Sequence, residues 1–479
     1  MSGADFQALS VLLILAGGVV VVLLTISFLR RHRLVQYLTL ATLAAALAAL
    51  GAAAGVIPRS VTPLVVMDGY ALYFSALLVG AALVTVLLSY RYLDGCDDDP
   101  EEYYLLLLAA TAGAVTLAGA SHFASLLLGL EILSVSLYVL IAYPRSGHPP
   151  LEAALKYLIL SGAASTTMLF GMALIYAATG TLAFAPPGAA AGDLYLTAGL
   201  VMLMAGAGFK LSLVPFHMWT PDVYQGAPAP VSGYLASVSK AAMFAVLLRY
   251  LLDSGALADP ALHSVLLVLA VLSMIVGNLL ALRQHYIKRI FAYSAIAHLG
   301  YLLIPLVALG QSDPDLAVEA SLVYLGAYVV MTLAAFGVVT VLSAGAGTAD
   351  ADALDHYEGL FWRRPGVACV LTLVLLSLAG IPLTLGFIAK FYLFAAGVSA
   401  ATWLLLIALV AGSGIGLYYY LRIVFVMTRD VSAQPAPGPG VAVSGRVTLG
   451  VLAALLLVFG IYPAPLITLV RQALQSWSG

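Results

Sequence analysis

Stretches of about twenty apolar residues recur along the whole chain, separated by short polar segments. Crossing a bilayer as a helix takes roughly 20 mostly apolar residues. Only a helix or a closed barrel satisfies its own backbone polar groups in lipid. Read this way, the chain predicts about fourteen spans: 6–29, 34–56, 64–90, 103–120, 122–143, 151–178, 194–220, 228–252, 261–282, 289–310, 315–344, 366–396, 400–427 and 445–470. Only Ser121 and His122 mark the division between the fourth and fifth. The first run, from about Phe6 to Leu29, is too long for a signal-peptide core and lacks a preceding basic residue, so it reads as a retained span. The fold class is therefore an all-α polytopic membrane protein.

Composition agrees with that reading and removes other classes. The chain is 63% hydrophobic and 9% charged, against about 25% charged for a soluble domain. A net charge of -2 without a basic block argues against nucleic acid as a partner. Cys96 and Cys369 are far apart and read as two unpaired thiols. Asp97, Asp98, Asp99, Glu101 and Glu102 form a solvated loop cluster without ligand geometry. No metal, haem, iron–sulfur or nucleotide pattern emerges.

The basic residues set an orientation. Thirteen of the 20 Lys and Arg fall in loops after odd-numbered spans, and three (Arg59, Arg249 and Arg471) lie on the opposite side. Basic loops stay cytoplasmic, which predicts both termini outside. The remaining four lysines lie inside spans.

Those lysines, with one glutamate, are the candidate chemistry: Glu131, Lys156, Lys210, Lys240 and Lys390. An ionised group near the bilayer centre costs roughly 2.5–3.5 kcal/mol on insertion scales and marks function by default. Glu131 lies roughly 13 Å into its span at 1.5 Å per residue, and its expected partner is Lys210. The bland alternative is a structural ion pair. Lys240 has Ser232, Tyr234, Ser237 and Ser239 around it in sequence, and Lys390 has Phe387, Phe391 and Tyr392. Lys156 follows Glu152 by four residues, so a surface pair explains it equally well. His217 and His298 are candidates for a proton relay, against the plainer reading of hydrogen-bonded structural histidines. The run Tyr418-Tyr419-Tyr420 reads as packing or an interfacial belt.

Two spans are interrupted. The seventh holds Pro215, His217, Trp219 and Pro221, and the twelfth holds Gly380-Ile381-Pro382. Proline removes a backbone hydrogen bond and breaks or kinks a helix. Broken segments at corresponding positions of two halves point to a transport site. Five helices separate these two, so the second copy enters the membrane inverted. The expected division is 1–102 for three N-terminal helices, 103–253 and 261–428 for an inverted repeat of helices 4–8 and 9–13, and 445–479 for helix 14.

The segment from Phe209-Lys210 through Pro215, His217, Trp219, Pro221, Asp222, Tyr224 and Gly226 to Pro228 resembles the signature of the antiporter-like subunits of respiratory complex I. So do Arg289 to Tyr301, with His298, and the cytoplasmic segment His356 to Pro365. The run Gly380 to Lys390 and Tyr392 resembles the subunit N branch of that family, the counterpart of mitochondrial subunit 2. The likeness covers about residues 60 to 470. It implies fourteen helices with helices 7 and 12 broken, and a glutamate–lysine pair at Glu131 and Lys210. It implies further lysines at Lys156, Lys240 and Lys390.

The resemblance also implies proton translocation in a bacterial cytoplasmic (inner) membrane, coupled to NADH oxidation and quinone reduction. The partners are other complex I membrane subunits. FMN, iron–sulfur clusters and quinone lie in those other subunits, so this chain binds no cofactor. The rival readings are a subunit of a multisubunit cation/proton antiporter, and a purely structural membrane scaffold.

Overall fold

The computed structural model describes residues 2–94, 99–143, 148–311, 314–344, 350–430 and 441–477. Cys96, Asp97, Asp98 and Arg145 lie outside the described residues. The helices are α1 (Gly3–Ala8), α2 (Ser10–Phe28), α3 (His32–Ala54), α4 (Gly69–Leu93), α5 (Glu101–Ala118), α6 (Phe123–Ile141) and α7 (His148–Thr179). Next come α8 (Leu194–Lys210), α9 (Trp219–Gly226), α10 (Ala229–Tyr234), a π-helical turn Leu235–Ser239, α11 (Lys240–Asp253), α12 (Pro260–Leu282), α13 (Ile287–Leu309) and α14 (Pro314–Ser343). The rest are α15 (Leu360–Arg363), α16 (Pro365–Ala379), α17 (Leu385–Ser399), α18 (Trp403–Thr428), α19 (Val443–Ile461) and α20 (Ala464–Gln475).

Every predicted span contains helix. Among the described residues eleven helices are long and apolar enough to cross a membrane, and α8, α16 and α17 are shorter apolar pieces of the two interrupted spans. Three boundaries differ from expectation. The third span begins at Gly69, because Arg59–Thr62 and Val65–Met67 form an antiparallel hairpin first. The first span divides at Leu9 into α1 and α2. The last divides at Pro463, whose missing N–H suits a helix start, and α20 runs as a separate amphipathic helix. The boundary at Ser121 and His122 holds, with the His122 ring accepting from the Ala124 N–H to cap α6.

Acidic residues at several span starts serve as caps. Asp68 accepts from Ala71, Asp193 from Tyr195, and Asp259 from Ala261 and Leu262. Each satisfies orphan N–H groups at a helix N-terminus. The helices are layered. In the most apolar 18-residue stretch of each helix, 94% of residues are buried in the Ala229–Asp253 and Ile287–Leu309 spans and 89% in α14, but 22% in α3. The first three therefore form the protein interior, and α3 lies at its surface. Small residues let neighbours approach closely. A Cβ on Gly113 would lie 2.8 Å from the Gly129 carbonyl (α5 on α6), and one on Gly277 would lie 2.8 Å from the Ala297 nitrogen (α12 on α13).

Candidate functional site

Both interrupted spans end their first half with carbonyl groups that no helical N–H reaches. A lysine ammonium meets one such carbonyl in each. At the first break α8 stops at Lys210, and Ser212 adopts a left-handed φ of 62°. The Lys240 ammonium, wholly buried at the start of α11, donates to the Lys210 carbonyl at 2.6 Å and to the Ser212 hydroxyl. It also lies 4.5 Å from the Trp219 ring centroid. The Trp219 indole donates to the Phe209 carbonyl, so α9 is pinned beneath the ammonium. At the second break α16 stops at Ala379 and Leu383 adopts φ 72°. The Lys390 ammonium donates to the Ala379 carbonyl at 2.9 Å and to Ser413 at 3.1 Å, and lies 5.4 Å from the Tyr301 ring. A cation at a helix C-terminus is favoured by the dipole and by the free carbonyls.

The serines expected around Lys240 do other work. Ser232 and Ser237 donate to backbone carbonyls of their own segment, and the ammonium turns to the break instead. For Lys390, Phe391 points outward at 59% exposure and the polar partners come from α16 and α18.

The expected Glu131–Lys210 ion pair is not formed. The Lys210 ammonium donates to Ser134 at 2.8 Å and to Ser161 at 2.6 Å. Ser134 lies one turn beyond Glu131 on α6, so the hydroxyl takes the place meant for the carboxylate. Glu131 acts on Lys210 only at longer range, and one of its oxygens is buried without a hydrogen-bond partner. Ser161 also bonds Tyr138 at 2.9 Å, which extends the network.

Lys156 sits apart from this row. It pairs with Glu152 at 2.8 Å and with Asp222 at 2.9 Å, its side chain 42% exposed. Asp222 also binds Arg289 at 2.8 Å, so α9 joins α7 to α13. His217 lies in the first break, buried, with Nδ1 unpartnered. His298 is buried between Tyr324 (2.7 Å) and Tyr420 (3.4 Å), and Tyr420 also bonds Ser294. Beside it, Asn278 donates to Tyr301 at 2.8 Å and accepts from Tyr419 at 3.0 Å. Of the tyrosine run, only Tyr418 faces outward; Tyr419 and Tyr420 belong to this polar cluster.

Two cations taken for loop residues are buried. Arg249 forms a bidentate pair with Asp68 at 2.8 and 2.9 Å, and its guanidinium lies 4.7 Å from the Tyr70 ring and 5.6 Å from the Trp477 ring. Lys288 binds Asp350 at 2.6 Å and the Ala227 carbonyl at 2.8 Å. Arg249 falls within the predicted limits of the eighth span, and that position was the available signal. Among the described residues no group of three His, Cys, Asp or Glu side chains forms a metal-sized cluster.

The NADH:quinone oxidoreductase/Mrp antiporter transmembrane family matches residues 120–416, which include Glu131, all four candidate lysines and both histidines. The chain is 50% identical to the NADH-quinone oxidoreductase subunit N of Chromohalobacter salexigens, over 97% of this chain and 98% of that one. A chain of respiratory complex I from Thermus thermophilus, solved with bound aureothin, superposes with a TM-score of 0.83 at 34% identity, covering 96% of this chain and 98% of that one. A chain of the Mrp complex from a Dietzia species shares the fold at a TM-score of 0.82 with 21% identity, covering 99% of this chain and 97% of that one.

Proposed function

Because this chain belongs to the NADH:quinone oxidoreductase/Mrp antiporter transmembrane family, we propose that its proton path runs through Lys210, Lys240 and Lys390, with Glu131 setting the charge balance at one end. The chain is a proton-translocating membrane subunit of NADH:quinone oxidoreductase, of the subunit N type, assembled with other membrane subunits. The observation that carries the path is the matched placement of Lys240 and Lys390 on the open carbonyl ends of two interrupted helices.

The coupling is electrostatic. In a low-dielectric interior an ammonium holds its proton according to the charges beside it. Moving the Glu131 carboxylate toward or away from Lys210 changes that hold. Lys240 lies on the Lys210 main chain and feels the change directly. His298, with Tyr324 and Tyr420, stands beside the Lys390 site as a relay, and His217 stands in the first break. Lys156 faces the aqueous side with Asp222 and Arg289, as an uptake group. Moving one charge against 100 mV takes about 2.3 kcal/mol, and one pKa unit is worth about 1.36 kcal/mol, so modest rearrangements suffice.

FMN, iron–sulfur clusters and quinone belong to other subunits in this reading. The basic loops favour both termini on the outer side of a bacterial cytoplasmic membrane. The five-helix halves 103–253 and 261–428 act as an inverted pair. A free-standing cation/proton antiporter subunit is the second reading, and the 50% identity to a subunit N speaks against it. The test is Lys240→Ala in the intact complex, with proton pumping and NADH oxidation measured together. Pumping at the wild-type ratio would sink the relay.

A further inference from the structure

One carboxylate stands outside this row yet is almost as well buried. Glu319, on the second turn of α14, is 8% exposed. Its partner is Arg471 of α20, whose Nε lies 3.1 Å from both carboxylate oxygens. The pair is lopsided: the Arg471 side chain is 62% exposed and that of Glu319 is 11% exposed. Tyr392 of α17 also faces it. Arg471 and Tyr392 face this carboxylate from α20 and α17, and Asp315 lies one turn before it on α14.

Stability does not explain the arrangement. A pair with one solvent-exposed partner contributes little, while desolvating the carboxylate carries a cost that an apolar side chain would avoid. Position offers another reason. Glu319 lies roughly 8 Å from the start of α14 at 1.5 Å per residue. The same helix carries Tyr324, bonded to His298, and Tyr392 shares α17 with Lys390. Glu319 therefore lies against α20 on a helix that also carries a group of the second break.

We infer that Glu319 is the proton-release group of this subunit, with Arg471 as its resting counter-ion. The carboxylate takes up a proton arriving from the Lys390 side, and its contact with Arg471 loosens. Loss of that proton to outer water restores the ion pair. One O–H bond forms and the same bond breaks. The inference rests on the relay reading and on the orientation proposed above.

The test uses the whole complex in sealed vesicles, reading protons moved per electron from NADH. Glu319→Asp keeps a titratable group and retains the wild-type ratio. Glu319→Gln keeps shape and hydrogen bonding, which a structural role would tolerate, and lowers the ratio to the level of Lys390→Ala. An assembled Glu319→Gln complex at the wild-type ratio overturns the inference. If that variant does not assemble, Arg471→Gln decides, since its side chain lies mostly in solvent: a lowered ratio supports the assignment and an unchanged one overturns it. If Lys390→Ala itself leaves the ratio unchanged, the relay reading has failed and takes this assignment with it.

Discussion

The ammonium of Lys240 donates to the backbone carbonyl of Lys210 at 2.6 Å. One lysine of the row thus rests on the main chain of another. The Lys240 charge is tied to the conformation of the break, because any shift of residues 210–213 moves its acceptor. The second break repeats the contact with Lys390 and Ala379, but there the lysine comes from the same span.

Gly380 holds the second break in a left-handed conformation, φ 86°. A Cβ there would lie 2.8 Å from Lys390 Cδ and 3.3 Å from its Nζ. Gly380→Ala is expected to cost about 1–2 kcal/mol in backbone strain and to push Lys390 off the Ala379 carbonyl. The assembled complex should melt lower and pump fewer protons per NADH. A variant with wild-type values of both would refute this role.

Removing one partner of a buried ion pair leaves an uncompensated charge, at roughly 3–5 kcal/mol. Asp68→Asn or Arg249→Met should therefore deplete assembled complex sharply. Asp68→Leu combined with Arg249→Met should recover much of it, short of the α4 cap that Asp68 also supplies. Quantifying the subunit in purified membranes checks the order, and equal loss in single and double variants would contradict it.

At Lys156 the expectation is milder. Lys156→Ala breaks a pair whose members are well exposed, at about 1 kcal/mol or less. Asp222→Ala should do more, since it removes one partner of both Lys156 and Arg289 at once and leaves α9 tied to Arg289 of α13 through Gln225 alone among these side-chain bonds. Thermal unfolding of the two complexes ranks them, and a larger loss for Lys156→Ala would be the wrong order.

The Arg59 guanidinium beside Asp5 holds its carboxyl down at about 2, below the ordinary 3.8. A depressed carboxylate stabilises the folded form above its unfolded value and loses that contribution as pH falls through the folded one. The attachment of α1 to the hairpin should therefore persist at neutral pH and weaken from about pH 4 down to about pH 2. Arg59→Ala should move the midpoint up toward 3.8. Amide exchange of residues 3–8 against pH gives the answer, and coincident curves would exclude the coupling.

Tyr324→Phe leaves His298 Nδ1 without its buried partner, a cost of about 1–3 kcal/mol. Pumping should fall further than NADH oxidation. Equal slowing of both would assign Tyr324 to packing alone.

The spans were legible because bilayer thickness imposes a length that apolar runs display directly. The buried lysines were legible because a charge inside such a run is too costly to be incidental. Their partners were not. Ser134, Ser161, Ser212 and Ser413 are ordinary residues whose importance comes from where a neighbouring helix brings an ammonium. Asp68 and Arg249 sit at span ends, where a charge resembles a loop residue. Tyr419 and Tyr420 read as an interfacial belt because sequence does not show which helical face turns inward. Proline exposed the breaks at Pro215 and Pro382, yet Pro463 lay unnoticed in an apolar run whose length already satisfied one span.

Trp477 completes the cover of Arg249 and Tyr70, with their rings 4.6 Å apart, although it follows both halves in the chain. During synthesis the Asp68–Arg249 pair must wait, incompletely enclosed, while every intervening helix is inserted. The first half of this protein therefore reaches its finished state late, and premature termination before α20 should expose the earliest-made core to quality control.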